Sequence, residues 1–302
     1  MSRYFPIFEV QADAAQEQEA MGTKPKFWFT HSSLGQCLFK QARPNTGEDW
    51  SEKIAAELAG LLGLPYAKQE LAIWREHPGT VSLLMVPEQG ALILGNDILA
   101  GMVSNYPRSQ RYNVSEHTLD IVWQAISNPV LTCPLGWEPP EGVTTAVDTF
   151  TGYLLLDTWI GNTDRHHENW GFIETVDGST HLSPTYDHAS CLGRELLDTK
   201  RQERLDSQTV DMYTRRARSA FYEKPGAAKA LPTIEVFIRA ARSSPQAAAV
   251  WLERLESITS GMTQQLLGKI PESRISPVAI AFAQKVLDIN KNSLLRLQED
   301  LP

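Results

Sequence analysis

The spacing of apolar residues changes along this chain, and each change predicts an element. Short apolar runs come first: Phe27-Trp28-Phe29, a turn over 30–35, then Cys37-Leu38-Phe39-Lys40, which predicts two strands joined as a hairpin. From Glu48 to Leu62 the period becomes helical, with Ile54, Ala55, Leu58, Leu61 and Leu62 at helical spacing and Gly63 as the stop. Residues 69–75 and 80–86 predict two more strands that close a small sheet, and Pro87-Glu88-Gln89-Gly90 breaks the pattern as a linker. Ahead of the first strand, the polar, alanine-rich stretch 11–21 predicts a mobile loop running into a turn at 22–26.

Beyond the linker the pattern turns helical. Residues 144–160 carry Val147, Phe150, Leu154 and Trp159 beside Asp148 and Asp157, an apolar stripe wide enough for a buried helix. Residues 170–175 and 180–185 predict a hairpin around Val176-Asp177-Gly178-Ser179, because Asp-Gly suits the tight turn. From about Arg194 the chain reads as mostly helical, with breaks at Pro271 and Pro277 and no internal repeat. The mixed charges of 194–218 predict a solvated helix face, with a substrate-docking segment as the functional alternative. The pattern as a whole is α+β, with a small β-rich part over 1–87 and a larger, mainly α-helical part over 88–302.

Composition adds mostly exclusions. A chain of 302 residues has room for two lobes, and 42% hydrophobic with 21% charged residues excludes a largely disordered chain or a coiled coil. The net charge of −8 disfavours bulk binding to nucleic acid or an anionic membrane, while leaving room for a local basic pocket that holds phosphate. Apolar runs such as Tyr153-Leu154-Leu155-Leu156 fall far short of the roughly 18 residues a membrane span needs. The N-terminal stretch lacks the basic start and apolar run of a secretory signal. Three cysteines, Cys37, Cys133 and Cys191, form no close pair, so a disulfide scaffold and a cysteine zinc site are both unsupported and the expected location is cytoplasmic.

The candidate chemistry lies in Asn162-Thr163-Asp164-Arg165-His166-His167-Glu168-Asn169, a dense polar cluster between an apolar helix and an apolar hairpin. Burying such groups costs on the order of 1 kcal/mol or more each unless they are paired. Asp164 and Asn169 are five residues apart, the interval of the protein-kinase catalytic loop, where the Asp orients the attacking hydroxyl and the Asn holds magnesium. Folding the hairpin back would bring Asp187 near Asn169 as a further hard-oxygen ligand. Lys40 ends an apolar strand and precedes a helix carrying Glu52 and Glu57, the order of the kinase lysine and its helical partner. Gly22-Thr23-Lys24-Pro25-Lys26 offers amides and two cations for a phosphate-covering loop. The bland alternatives are a satisfied turn network over 162–169 and a metal held by His166-His167, the latter disfavoured because adjacent side chains rarely converge on one ion.

With these pieces together, the chain resembles the HipA-like serine/threonine kinases. The resemblance is carried by GTKPKFWF at 22–29, LFK at 38–40, WSEKIAAELAGLLGLPYA at 50–67, GNTDRHHENWGF at 161–172 and SPTYDHAS at 183–190. It implies a two-lobe protein-kinase-like α+β fold, ATP and Mg²⁺ as cofactors, and phosphoryl transfer to a protein substrate. It makes Asp164 the catalytic base, Asn169 and Asp187 the Mg²⁺ ligands, and His166 a support of the loop. Lys40 then contacts the nucleotide phosphates, Glu52 partners it in preference to Glu57, and Gly22, Thr23, Lys24 and Lys26 cover the phosphates. Adenine is expected against the linker, at the backbone of Val86 and Glu88, since Pro87 has no N–H to donate. Family members commonly carry an autophosphorylated serine before this glycine, whereas here Glu19-Ala20-Met21 precede Gly22. The chain resembles the short members, which implies a toxin of a toxin–antitoxin pair and a separate antitoxin or N-subdomain-like partner protein. The alternatives are the same chemistry on a small molecule or inositol lipid, and a nucleotide-binding regulator without turnover.

Overall fold

The computed structural model describes residues 3–14, 17–18 and 25–299. Its first part is a curled six-stranded sheet. The strands are β1 (Ile7–Val10), β2 (Glu17–Gln18), β3 (Lys26–His31) and β4 (Gly35–Gln41), and then, after helix α1 (Glu48–Leu62), β5 (Gln69–Trp74) and β6 (His77–Leu83). They lie in the order β1-β5-β6-β4-β3-β2, with β1 parallel to β5 and the other pairs antiparallel. Alternation along the strands splits the side chains between two faces. Phe27, Phe29, Cys37, Phe39, Ala72, Trp74 and Val81 form one apolar cluster with Val10. Its rings pack at close range, Phe27 lying 4.9 Å from Trp74 and 5.2 Å from Phe39, and each buried aromatic stabilises by about 1.5–3 kcal/mol. Lys26 and Lys40, directly opposite in register, belong to the other face.

Helix α1 lies between that sheet and the rest of the molecule. Its apolar residues Trp50, Ile54, Ala55, Leu58, Ala59 and Leu62 join the main core, and Gly63 ends it in the left-handed conformation at φ 79°. Its polar face is buried too, because charge partners reach it from every side. Glu48 holds Arg43 and Arg194, Asp49 pairs with Arg274 at 2.8 Å, and Lys53 reaches Glu57 at 2.7 Å and Glu70 at 2.9 Å. Buried charges survive only when paired in this way.

The larger part is mainly helical. It contains β7 (Ala91–Leu94), α2 (Gly95–Met102), α3 (Leu119–Ile126), β8 (Leu131–Thr132), α4 (Ala146–Ile160), β9 (Gly171–Glu174) and β10 (Thr180–Leu182). These are followed by α5 (Asp198–Asp206), α6 (Val210–Thr214), β11 (Arg218–Tyr222), β12 (Ala230–Pro232), α7 (Thr233–Ser243), α8 (Pro245–Ser257), α9 (Ser260–Leu267) and α10 (Pro277–Arg296). The central helix is α4, buried along almost its whole length and packed against α7, α8 and α10. A reciprocal capping box between Thr145 and Asp148 starts it, and Gly161 stops it at φ 67°, a conformation that lacks the Cβ penalty only for glycine. The hairpin β9–β10 follows, flanked by β7 and β8 in a four-stranded sheet.

Several elements differ from the sequence expectation. The strand expected over 80–86 runs instead over His77–Leu83. The reason is a two-residue turn at Arg75 and Glu76, both with positive φ (47° and 68°), where the usual Asn-Gly signal is missing. Arg75 holds that turn by donating to Ala12 O at 2.8 and 3.0 Å and lying over the Trp74 ring. The stretch 11–21, expected to be mobile, is tied down where it is described: Arg75 grips residue 12, and Glu17–Gln18 pair with β3. Strands β1, β7 and β8 were not expected, since each is short and takes its partner from far along the chain, and the short ribbon β11–β12 lies in a stretch whose pattern reads as mostly helical. Helix α5 is mostly solvated, as its mixed charges predict, although Arg201 is buried and donates to Gly193 O.

Candidate active site

The polar cluster forms a loop between α4 and β9, and a buried ion pair shapes it. Arg165 is 1% exposed and grips Asp157 of α4 with two hydrogen bonds of 2.7 Å. Its remaining nitrogen donates to Asn169 O at 3.0 Å, so one guanidinium pins both the start and the end of the loop. Asn162 adds a second tie by donating to Asp157 Oδ1 at 2.8 Å and accepting from the Asp164 amide at 3.1 Å. Asn169 in turn donates its Nδ2 to Asp164 O at 2.5 Å. That bond leaves the Asn169 Oδ1 atom as the acceptor end of the side chain.

The segment after β10 supplies the opposing carboxylate. Residues 65–67 and 185 hold this segment against the start of the sheet, with Thr185 N donating to Pro65 O and Ala67 N to Thr185 O, both at 2.9 Å. Tyr186 OH donates to Glu168 O at 2.9 Å, and the His188 amide donates to Glu52 Oε1 at 3.0 Å. Between these two anchors Asp187 sits at φ 60°, in the left-handed region that aspartate tolerates better than most residues. Its Oδ1 lies 3.3 Å from Lys40 Nζ. Lys40, Glu52 and Asp187 line one small cavity together with Thr80 and Ala189.

The electrostatics separate the carboxylates. Burial, and then the charge of nearby Asp187, push Asp164 up to about 6, against the downward pull of Arg111, Arg194 and the Ser190 hydroxyl. Ser190 Oγ donates to Asp164 Oδ2 at 3.4 Å, a long bond. His166 is held down at about 3 by burial and then by Arg111, so its ring is neutral. Its Nδ1 accepts from the Glu168 amide at 3.1 Å, while its Nε2 faces Arg111 Nε at 3.1 Å and lies 3.9 Å from Asp164 Oδ1. Behind the loop, His117 is buried and held down at about 3, above all by desolvation. It accepts from Trp170 Nε1 at 3.2 Å and faces Ala220 O at 3.0 Å through Nδ1.

Of the candidate residues, Lys40, Glu52 and Asp187 line one cavity, Asp164 lies near enough to Asp187 to feel its charge and lines a second cavity with His166, and Asn169 is tied to the Asp164 carbonyl. Lys26 lies across from Lys40 on the adjacent strand. Gly22, Thr23 and Lys24 fall outside the described residues. Val86 and Glu88 lie on the connection between β6 and β7, and neither lines the cavity of Lys40 and Asp187. Sequence reading missed the Asp157–Arg165 pair, the Tyr186 strut, and the cations Arg111 and Arg194. Of these only Asp157 carried a signal, as an acid inside an apolar helix. Glu52 lines the same cavity as Lys40, and it also accepts a hydrogen bond from the backbone beside Asp187.

No protein-family model matches this chain, and no curated protein matches it significantly. Its fold is nevertheless that of solved kinase-like proteins. The Helicobacter pylori proinflammatory kinase CtkA superposes with a TM-score of 0.71 at 18% identity, covering 97% of this chain and 99% of that one. HipA of Shewanella oneidensis, solved in a toxin–antitoxin complex with HipB and operator DNA, gives 0.58 at 13% identity, over 95% of this chain and 68% of that one. The likeness to HipA-like kinases seen in the motifs therefore extends to the fold: a curled β-sheet lobe followed by a helical lobe. Among the described residues no helix is long and apolar enough to cross a membrane.

Proposed function

We propose that this chain is an ATP- and Mg²⁺-dependent kinase that phosphorylates serine or threonine hydroxyls of a protein substrate. The reading rests on one observation: Lys40 and Asp187, far apart in sequence, meet with Lys40 Nζ 3.3 Å from Asp187 Oδ1, and the charge of Asp187 reaches Asp164 in the loop that also carries Asn169. In this reading the lobes divide near residue 87, and adenine lies along 84–90, against the backbone of Val86 and Glu88. Lys26 and Lys40 face the phosphates, with Gly22, Thr23 and Lys24 over them. Two like charges directly opposite in a sheet repel, and an anion between them relieves that repulsion.

Asn169 and Asp187 suit Mg²⁺, because each offers a hard oxygen and the amide bond of Asn169 to Asp164 O fixes which end of its side chain accepts. Mg²⁺, when bound, neutralises charge on the phosphates. Asp164 accepts the proton of the attacking hydroxyl, and its raised proton affinity suits it to that task while leaving it ionised at neutral pH. Lys40 exchanges its contact with Asp187 for the phosphate oxygens. Glu52, through the His188 amide, keeps Asp187 in its left-handed turn. HipA of Shewanella oneidensis was solved with a protein partner, and a separate antitoxin-like or N-subdomain-like partner is proposed for this chain as well, in the cytoplasm.

The test is transfer of labelled phosphate from ATP to protein substrates or to the chain itself, with the Asp187→Ala variant in parallel. Transfer by the unaltered chain and its loss in the variant, with the circular dichroism spectrum kept, are the expected results. Transfer that survives Asp187→Ala would remove the assignment.

A further inference from the structure

A sizeable cavity lies away from where the nucleotide would lie. It has a volume of about 490 Å³, and its wall includes Asp164 and His166 but none of Lys40, Asn169 or Asp187. It therefore opens on the proposed base from the side away from the phosphate-binding groups, where an acceptor has to enter. Its other walls are the 111–117 segment and the ribbon β11–β12 with its connecting loop.

That wall has an unusual charge for this molecule. On a chain of net charge −8, the cavity is lined by Arg111, Arg218 and Lys229, and Asp164 is its only acidic residue. Among the described residues, neither Arg218 nor Lys229 pairs with a carboxylate, and the nearest acid to Arg111 is Glu168, at 3.6 Å. The ribbon that carries two of these cations is fastened to the catalytic loop. Tyr222 N donates to His117 O at 2.9 Å, His117 also meets Ala220 O, and Trp170, next to Asn169, donates to the same imidazole. Gly226 N donates to Ser115 Oγ at 3.0 Å, and Arg218 is steadied by its bond of 2.6 Å to Ala230 O. The positive charges are thus held in place relative to Asp164. A fixed cluster of one sign at a cleft mouth attracts ligands of the other sign and orients them.

Building on the kinase reading, we infer that this cavity selects acceptors with acidic residues beside the reacting hydroxyl, that is, a serine or threonine within an acidic peptide segment. Arg218 and Lys229 are exposed at the rim rather than sunk into the wall. Exposed rim cations suit an extended chain lying across the mouth and not a small anion enclosed within it. In the transfer, the hydroxyl oxygen forms a bond to the terminal phosphorus of ATP and the bond from that phosphorus to the bridging oxygen breaks. ADP leaves with the bonding electron pair, and the hydroxyl proton goes to Asp164. Arg111, Arg218 and Lys229 hold the flanking carboxylates.

The test compares two peptides that share one central serine, one flanked by glutamates and the other by glutamines. Phosphate transfer is read as kcat/KM and binding as fluorescence anisotropy at low and high salt. The expected result is a preference for the glutamate peptide of about tenfold or more, weakened by salt and abolished in Lys229→Glu. Arg218→Lys keeps the charge and should keep the preference, whereas Arg218→Ala should reduce it. Equal binding of the two peptides, or a preference unchanged in Lys229→Glu, would overturn the inference. Salt-sensitive binding of the glutamate peptide without phosphate transfer would support the acceptor site while counting against the kinase reading. Transfer to glycerol 3-phosphate with no binding of either peptide would overturn the peptide assignment.

Discussion

Asp157 and Asp164 stand seven residues apart, at the two ends of one turn, and the fold treats them in opposite ways. Asp157, on α4, is 4% exposed and saturated: Arg165 takes both of its oxygens and Asn162 adds a further donor. Among the described residues the Asp164 carboxylate accepts only a long bond from Ser190, and it faces the like charge of Asp187 and is lifted to about 6. The first carboxylate is fully neutralised by its neighbours and serves to hold the loop. The second is left short of partners, which weakens the folded state slightly and keeps its oxygens ready for a proton. A fold carries strain at working positions when rigid surroundings offset it.

The difference can be probed from its largest consequence downward. Asp164→Asn keeps shape and removes the proton acceptor, so phosphate transfer should fall by about a thousandfold. Because the substitution also ends the repulsion with Asp187, the protein should become about 1 kcal/mol more stable to urea at pH 7. A loss of stability in step with activity would place Asp164 with Asp157 as a structural residue. Asp157→Ala should do the reverse, lowering unfolding free energy by about 3–5 kcal/mol because it strands a buried guanidinium. If its stability proved unchanged, the anchoring role would fail.

A further effect, seen only as the pH changes, concerns His117, a third titratable group beside the loop. Its folded value of about 3 lies below the usual 6.5, so between those limits the unfolded chain binds more protons than the folded one. Its contribution is fully present above pH 6.5 and is lost as the pH falls through that window, at roughly 1.4 kcal/mol per pH unit. Urea titrations at pH 7 and pH 5 should show a smaller drop for His117→Gln than for the unaltered chain, by about 2 kcal/mol. Equal drops would mean that His117 is not buried as a neutral ring.

The sequence made some of this legible and hid the rest for identifiable reasons. Helix α4 could be read because its apolar residues crowd every face, and Gly161 after it marks the stop. Asp164 and Asn169 could be read because their spacing is local. The turn at Arg75-Glu76 was hidden, since two residues of ordinary preference are forced to positive φ by the Trp74 and Ala12 contacts. The Asp157–Arg165 pair was hidden because a charge in an apolar helix does not reveal its partner. The cavity behind Asp164 was hidden as well: its cations stand at 111, 218 and 229, and no period or motif joins them.

Periodicity, capping residues and closely spaced motifs act over a few residues, and they determine the main helices, the α+β order and the polar loop. Which charges meet is a matter of distance in space. Only the tertiary structure decided that Lys40 faces Asp187, that Glu52 holds the neighbouring amide, and that Asp164 remains under-satisfied while Asp157 does not. Coulomb interaction and desolvation depend on separation and burial, and for residues far apart in sequence both are set by how the chain packs.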